Sequence, residues 1–340
     1  MRAYLLLLSS SIPVLALSTP TPVFTIPGTI HPDSWFENLA VRPNGLILAT
    51  RGDAPEIWQI NPATGEGAIL VTVTGAFNLT GITELTAAPC QQRKRWRRRQ
   101  QQQRQQRAET QGETYVFGSS YFLDFVNVVP GSAKIWTLQF PATDDNIPPT
   151  VSLLTTLPDA GLINGMATWD SGRVLLSDTL TSSIYLLDVA TGTFTTPFSG
   201  LSGVNGIRTA PGYVYSVDMM PGVLSRTPVD ADAVPTGPAE PLLEHPQMDD
   251  FALAVDGASG AGKAYVATLT GNEVVEVTFG APPASGPGVK RVVADDVSGT
   301  GTGAVTVAVF GRRTEDAGLL YVAVGRTGGN AAIVMIDPSE

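Results

Sequence analysis

The sequence predicts an all-β protein, a six-bladed β-propeller, and three observations lead to that fold. The 35 glycines and 26 prolines account for 61 of the 340 residues, a proportion typical of many short strands joined by tight turns. Apolar residues make up 43% of the chain and charged residues only 15%, so the chain can bury a large core. A strand-rich phrase also recurs six times along the chain, at a period of about 40 to 50 residues.

Each copy of the phrase starts with polar residues, continues into an apolar stretch and a turn, and then gives two β-rich runs. Successive starts at Asn164, Asn205 and Asp250 lie 41 and 45 residues apart. This period, with about four short strands per unit, predicts propeller blades, whose apolar faces need neighbouring blades to cover them. Two β-sandwiches of about seven strands each would not explain the anchored period. The six copies start near Asn38, Gly81, Asn164, Asn205, Asp250 and Val305.

Residues 1–18 are predicted to be a secretory signal peptide. Arg2 gives a positive start, a mostly apolar run follows, and Ala16-Leu17-Ser18 fits a small-x-small cleavage site. The apolar run of about 15 residues contains a proline and is too short to span a membrane, which takes ~20 residues. The alternative is a buried first strand or helix. We therefore expect one domain over residues 19–340, routed to the secretory pathway, without a membrane partner.

A basic, glutamine-rich insertion at residues 90–113 interrupts the second copy. It holds eight basic and two acidic residues without an apolar period, which predicts disorder. We interpret it as a solvated insertion without a catalytic role, or as untrimmed intron sequence in the gene model. The rest of the chain has 13 basic and 29 acidic residues, a net charge of −16. A globule this acidic repels nucleic acids, so the expected partners are small molecules or metal ions, and the chain is expected to be a monomer.

The scarcity of two residue types excludes other classes of site. One cysteine cannot form a disulfide scaffold, and two histidines make a histidine-rich metal site improbable on composition. The sequon Asn78-Leu79-Thr80 predicts glycosylation at Asn78, in agreement with the secretory route.

Polar residues recur where the innermost strands of several predicted blades begin. They are Glu37 with Asn38, Asn164, Asn205, and Asp249 with Asp250. Innermost strands of a propeller surround one channel, so these side chains are expected to converge on its mouth. Their oxygen atoms suit a hard cation such as Ca²⁺ or an oxygen-rich organic ligand. The alternative is that the Asn-Gly and Asp-Asp pairs are turn residues between blades.

At these residues the chain resembles the gluconolactonase, senescence-marker-protein and luciferin-regenerating-enzyme family of six-bladed propellers. The resemblance rests on the string from Trp35 to Gly45 and on the repeats at Asn164-Gly165 and Asn205-Gly206. It implies a divalent cation at the mouth, held by Glu37, Asn164 and Asn205. Asn205 stands where the family has an aspartate that also serves as lactonase base. An amide cannot take up a proton near neutral pH, so hydrolysis by a base at that position is in doubt.

The amino-acid sequences of four segments resemble, more narrowly, a secreted fungal branch of this family that includes hetero-Diels-Alderases of natural-product pathways. The segments are Glu37–Arg42, Asn164–Ala167, Asp249–Leu253 and Ala308–Arg312. A cycloaddition needs neither nucleophile nor base. It needs two reactants held in a near-attack pose and hydrogen-bond donors for the charge that develops on an enone or quinone-methide oxygen.

The site expected for such a reaction combines amide donors with apolar walls. Asn38, Asn164 and Asn205 are the candidate catalytic donors. The alternative for each aromatic candidate is packing between blades. The candidate substrate-binding residues are Trp35, Phe36, Tyr121, Phe122 and Asp250.

Three hypotheses follow. The first is an enzyme of fungal secondary metabolism, a pericyclase that requires no cofactor and acts on a small organic substrate at the mouth. The second is a Ca²⁺-dependent lactonase that uses Glu37, Asn164, Asn205 and a displaced aspartate. The third is a noncatalytic secreted propeller that binds a ligand. Sensitivity to a chelator and the effects of substitutions at the asparagines discriminate among them.

Overall fold

The computed structural model describes residues 17–27, 34–85, 112–124, 127–141, 147–282, 286–301, 303–325 and 329–340. Apart from residues 17 and 18, the predicted signal peptide lies outside the described residues, as does the predicted insertion apart from residues 112 and 113. Strands, turns and bends form all of the described part of the chain. It contains no helix long and apolar enough to cross a membrane.

The strands form six four-stranded antiparallel sheets, the blades, in agreement with the predicted six-bladed β-propeller. The first strand of the described chain is β1 (Thr21–Thr25). Blade 1 consists of β2 (Phe36–Val41), β3 (Ile47–Arg51), β4 (Glu56–Asn61) and β5 (Glu66–Thr72). Blade 2 begins with β6 (Leu79–Glu84) and β7 (Glu113–Ser119), continues through the short hairpin β8 (Phe122–Asp124) and β9 (Asn127–Val128), and is completed by β10 (Lys134–Phe140) and β11 (Thr150–Thr156).

The four remaining blades follow the same order from the innermost strand outwards. They are β12 (Ile163–Thr168), β13 (Arg173–Asp178), β14 (Ser183–Asp188) and β15 (Phe194–Phe198) in blade 3; β16 (Val204–Ala210), β17 (Tyr213–Asp218), β18 (Val223–Pro228) and β19 (Glu240–Glu244) in blade 4; β20 (Phe251–Val255), β21 (Gly262–Ala267), β22 (Val274–Phe279) and β23 (Val289–Ala294) in blade 5; and β24 (Ala304–Phe310), β25 (Leu320–Gly325) and β26 (Ala332–Ile336) in blade 6.

The ring closes through its first strand. Strand β1 pairs antiparallel with β26 and supplies the outer strand of blade 6. Phe24 of β1 then packs against Phe36 and Trp58 of blade 1, with ring centroids 6.5 and 5.8 Å apart. The two ends of the chain are thus combined in one blade, which leaves no open blade-to-blade edge in the ring.

Six hydrophobic clusters form the core, one at each junction between neighbouring blades. Both faces of a blade are therefore buried, which explains why apolar residues run consecutively in the sequence instead of alternating with polar ones. Val174 and Leu176 of β13 pack towards blade 2, while Leu175 between them packs towards blade 4.

Candidate functional site

The innermost strands of the six blades all begin at one end of the central channel, which we call the mouth. Asn38, Asn164 and Asn205 lie in the first residues of β2, β12 and β16, and Asp250 immediately precedes β20. Each of these four side chains is buried. The structure therefore places predicted polar residues of four blades at the starts of the innermost strands.

The Asn-Gly pairs are strand residues and not turn residues. Both pairs lie where the register between the first and second strands shifts, between Ile163 and Met166 and between Val204 and Ile207. The glycines allow neighbouring innermost strands to approach closely. A Cβ atom on Gly165 would lie 2.5 Å from the carbonyl oxygen of Asn205, far inside van der Waals contact.

Hydroxyl groups of the second strands fix these bulges. Ser177 Oγ accepts a hydrogen bond from the Gly165 amide at 2.7 Å and donates to the Asn205 carbonyl of the next blade at 2.5 Å. Thr50 does the same between blades 1 and 2, donating to the Thr80 carbonyl at 2.6 Å. Each hydroxyl satisfies backbone groups of two blades, so bonds between blades help to hold the mouth.

A charged network crosses the channel just below the mouth. Asn38 of blade 1 donates its amide Nδ2 to Asp250 Oδ2 of blade 5 at 2.8 Å. Arg208 of blade 4 places Nη1 2.9 Å from Asp250 Oδ1 and 3.2 Å from Oδ2. The Phe251 amide donates to Asp250 Oδ1 at 2.7 Å. Because blades 1, 4 and 5 are not all neighbours, this contact lies inside the ring of innermost strands.

Arg208 is the member of this network that the sequence reasoning missed. The available signal was a charged residue within an innermost strand, three positions after Asn205. Asp250, predicted as a substrate-binding residue, has a side chain only 2% exposed, whereas that of Arg208 is 20% exposed. The side chain of Arg208 is thus more exposed than that of the aspartate that anchors it.

The amides of Asn164 and Asn205 are only partly satisfied. Asn164 Nδ2 donates to Thr179 Oγ1 at 3.2 Å. Asn205 Nδ2 lies 3.0 Å from the Met219 sulfur, a weak acceptor, and its buried Oδ1 has no hydrogen-bond partner among the described residues. A buried amide oxygen without a partner is costly, so a donor group of a ligand or of water would stabilise this corner of the mouth.

The donor set predicted for calcium, Glu37, Asn164 and Asn205, contains a single carboxylate. Glu37 Oε2 accepts a hydrogen bond from the Trp35 indole at 2.5 Å, and Asn164 and Asn205 contribute only amide oxygens. Asp250, a channel carboxylate outside that set, is already paired with the guanidinium of Arg208. A Ca²⁺ ion prefers several carboxylate oxygens, and a neighbouring guanidinium opposes it. Among the described residues, no three His, Cys, Asp or Glu side chains cluster as metal ligands.

One side of the mouth is apolar. Trp35 at the start of blade 1, Phe122 of hairpin β8–β9 and Leu162 at the start of blade 3 form one buried cluster, with Val128 packed against it. Trp35 is 8% exposed, Phe122 6% and Leu162 2%. Trp35 and Phe122 lie beside the mouth in this packing cluster, and their contact with a substrate stays a prediction.

Two other aromatic candidates lie elsewhere. Phe36 is completely buried in the core between blades 6 and 1 and has no exposed surface to offer a ligand. Tyr121 stacks on Phe77 at 4.0 Å and lines a cavity of about 220 Å³ in the mouth-side loops of blade 2. The structure therefore brings Trp35 to the mouth, Phe36 to the core and Tyr121 to a separate depression.

Asn78 links blades 1 and 2. Its amide nitrogen donates to the Gly52 carbonyl at 2.8 Å, and its amide oxygen accepts from the Phe122 backbone at 3.4 Å. The side chain is half-buried in this arrangement. Glycosylation at Asn78 stays a prediction, and the structure adds that the same amide connects two loops at the mouth.

Comparison with known proteins agrees with the resemblance found in the sequence. The chain is 24% identical over 327 residues to a protein of a Phoma species described as "Putative hetero-Diels-Alderase", covering 85% of this chain and 83% of that one. Its fold is similar to that of luciferin-regenerating enzyme, with a TM-score of 0.60, 12% identity and coverage of 94% and 95% of the two chains. No family model matches the chain.

Two further solved structures share the fold. The allergen Mala s 1 of Malassezia sympodialis aligns with a TM-score of 0.60 and 13% identity, covering 89% of this chain and 93% of the allergen. The calcium-binding protein regucalcin of Agrobacterium tumefaciens aligns with a TM-score of 0.52 and 16% identity, covering 95% of each chain. At these identities the solved structures establish the propeller fold.

Proposed function

We propose that this protein is an enzyme that promotes the cyclisation of a small organic substrate at the mouth of the channel, in the manner of a hetero-Diels-Alderase. The observation that carries the proposal is the combination of an apolar wall with hydrogen-bond donors around a carboxylate that is already paired. Asp250 accepts bonds from Asn38, Arg208 and a backbone amide, so it is poorly suited to remove a proton from water or substrate.

Such a mouth supports positioning and charge stabilisation, which is what a cycloaddition requires. Trp35, Phe122 and Leu162 form a buried apolar cluster beside the mouth, and a planar reactant would lie against the part of Trp35 that stays exposed, 8% of the residue. The amides of Asn164 and Asn205 offer donors whose present acceptors are a hydroxyl and a thioether. Holding two reactants in a near-attack pose supplies a large entropic contribution, and fixed donors stabilise the oxygen that gains charge. The curated relative supports the same reading.

The direct test is a cycloaddition assay. An ortho-quinone methide is generated in buffer with an electron-rich alkene, and the rate and enantiomeric excess of the adduct are measured with and without protein. We expect a faster reaction and an enantiomeric excess, and a loss of about tenfold in rate for Asn164→Ala or Asn205→Ala, since each removes one hydrogen bond. Asn44→Ala, in an exposed turn after β2, is the matched control. Racemic adduct at the uncatalysed rate would contradict the proposal for this reactant class.

A Ca²⁺-dependent lactonase is the second candidate. Glu37, Asn164 and Asn205 do stand at corresponding points of three blades, although the paired state of Asp250 weighs against this reaction. Hydrolysis of a lactone panel that requires Ca²⁺ and is lost in Glu37→Gln would favour the lactonase over the cyclase. Ligand binding that depends on the asparagines, without any turnover, would instead favour a noncatalytic binding protein.

A further inference from the structure

We infer that Arg208 binds the reacting oxygen of the substrate, a carbonyl or phenolate oxygen on a planar conjugated molecule. This inference rests on the proposed function, because it assigns a catalytic residue to the same site. It adds a group that neither the sequence pattern nor the similarity to other proteins identifies.

Arg208 differs from two almost fully buried arginines, Arg42 and Arg226. Arg42 uses all three guanidinium nitrogens, two on Glu113 and one on Gln59. Arg226 likewise uses all three, on Glu240 and on backbone carbonyls. These guanidinium groups are saturated and serve the fold.

Arg208 is bound through one nitrogen only. Nη1 contacts Asp250 and donates to the Ile207 carbonyl at 2.7 Å. Nη2 and Nε make no hydrogen bond to any of the described residues, the guanidinium carbon lies 5.5 Å from the centre of the Phe251 ring, and a fifth of the side chain is exposed. The arginine is therefore held in place with one edge of its donor fork unused, a geometry that suits binding of an oxygen atom.

The charge of the surrounding protein also distinguishes Arg208. The globule without its basic insertion carries a net charge of −16, yet the more exposed partner of the pair between Arg208 and Asp250 is the cation. Asp250, its counter-charge, is nearly inaccessible and also bonded to Asn38 and Phe251. A substrate oxygen entering the channel would thus meet guanidinium donors and not the carboxylate.

A cation at this position suits the change of charge in a hetero-cycloaddition. Negative charge that develops on an oxygen during a hetero-cycloaddition is stabilised by a preorganised cation, which needs no reorientation at the moment of reaction. Asp250 fixes the cation, and Asn205, three residues earlier in β16, adds an amide at the mouth. No proton is transferred and no bond to the protein forms in this step.

The test uses 4-nitrophenol, a flat conjugated molecule with one ionisable oxygen, and the purified full chain. Its absorbance reports the fraction bound as the phenolate, and titration gives its affinity. Arg208 is expected to favour the phenolate and so to lower the pKa of the bound probe. The carboxyl groups at the mouth (Glu37, Asp218, Asp249 and Asp250) would raise that pKa, because they repel the phenolate. The direction of the change therefore identifies the group that the oxygen meets.

We expect Arg208→Gln to weaken binding of the phenolate by ~10- to 100-fold, the loss of one hydrogen bond to a charged group, and to abolish the lowered pKa of the probe. Arg208→Gln/Asp250→Asn removes both charges of the buried pair, so it tests the same loss in a chain without an unpaired carboxylate. Arg173→Gln, which breaks an exposed ion pair between Arg173 and Asp170 and Asp232, is the control and should leave binding unchanged.

Equal phenolate affinity in the wild type and both Arg208 variants, a raised pKa of the bound probe, or no binding of the probe would each overturn the inference. A lowered pKa that depends on Arg208, together with no cycloaddition, would keep the oxygen-binding role and reject the cyclase. The two proposals can therefore fail separately.

Discussion

Asp218 is a carboxyl group at the mouth with incomplete hydrogen bonding. It ends β17 opposite Val204, next to Asn205 across the blade. One of its oxygens is buried without a hydrogen-bond partner among the described residues. Burial raises the pKa of this carboxyl above its usual 3.8, and a hydrogen bond from the Ser202 backbone only partly opposes that rise. The folded state therefore holds a proton on Asp218 more tightly than the unfolded chain does.

The sign of the resulting pH dependence follows from that difference. As pH rises above 3.8, the unfolded chain loses the proton first, so the contribution of Asp218 to stability falls until the folded carboxyl has also ionised. We expect Asp218→Asn to remove this fall and to be more stable than the wild type near neutral pH. Urea unfolding between pH 4 and 8 measures it.

Asp178 provides the matched contrast in blade 3, because it also ends the second strand. Its oxygens accept hydrogen bonds from four backbone amides and from Tyr185. Asp178→Asn places an amide donor against those donors, so the free energy of unfolding should fall by ~1–3 kcal/mol. Equal effects of the two substitutions would show that satisfaction of the carboxylate does not distinguish the two blades.

At the residue scale, the sequence predicts the repeated polar residues but not the network they join. Asn164 and Asn205 are recognisable because each precedes a glycine at the start of its copy, and Asn38 and Asp250 because they lie beside polar residues at the starts of theirs. Arg208 has no counterpart in the other copies, so repetition could not identify it. Its role depends on a contact between blades 4 and 5, 42 residues apart in the chain.

Among the elements, the innermost strands depend on glycine where neighbouring blades come closest. A Cβ atom on Gly206 would lie 2.5 Å from Asp250 Oδ1 and 2.7 Å from Asp250 Cα. Because Asp250 Cα belongs to the backbone, a rotamer change cannot relieve this contact. The strand must move away from blade 5, which also displaces the pair between Asp250 and Arg208.

We expect Gly206→Ala to lower the free energy of unfolding by ~1–3 kcal/mol, the usual range for overpacking, and to weaken ligand binding at the mouth. Gly257→Ala is the control, since a Cβ atom there meets no atom within 4 Å. Chemical denaturation of the two variants provides the comparison. A Gly206→Ala protein as stable as Gly257→Ala would contradict the close approach of β16 and blade 5.

The sequence predicts inner strands better than outer ones, for a physical reason. Many second and third strands are buried on both faces and contain continuous apolar runs, such as Val174–Leu176 in β13. Outer strands such as β11 and β15 are largely exposed and carry threonine and serine without a clear pattern. Hairpin β8–β9 was not predicted either, because its strands have only three and two residues.

At the scale of the whole molecule, ring closure depends on the first described strand. The repeats predict six blades but do not show that β1 completes blade 6, because β1 has no copy of the repeated phrase beside it. Ser18, the last residue of the predicted signal peptide, is itself buried and bonds the carbonyls of Val293 and Asp337. Cleavage after Ser18 would remove these two bonds and leave β1 in place.

A pair of truncated chains tests this closure. A chain starting at Ile26 lacks β1 and the Phe24 contacts, so it should lose at least ~3 kcal/mol, the loss typical of one buried phenylalanine, and expose the edge of β26. A chain starting at Ser18 is the control. Thermal unfolding and size-exclusion chromatography should show a lower Tm and self-association for the shorter chain only. Equal stability would mean that β1 does not close the ring.

We expect the mouth of the channel to bind an oxygen atom of an organic ligand and not a divalent cation. The resemblance to a metal-binding family implies the opposite at the same residues, Glu37, Asn164 and Asn205. The difference comes from the pairing of Asp250 with Arg208 and from the bond between Glu37 and Trp35.

The most direct test is to measure metal content and thermal stability of the purified chain with Ca²⁺ and with chelator, in the wild type and in Glu37→Gln. An ion present at 100 times its Kd would add ~2.7 kcal/mol of stability, an effect that thermal unfolding detects. We predict no stoichiometric ion and the same Tm under both conditions. A stoichiometric ion, lost together with stability in Glu37→Gln, would contradict the account and make the lactonase the leading function.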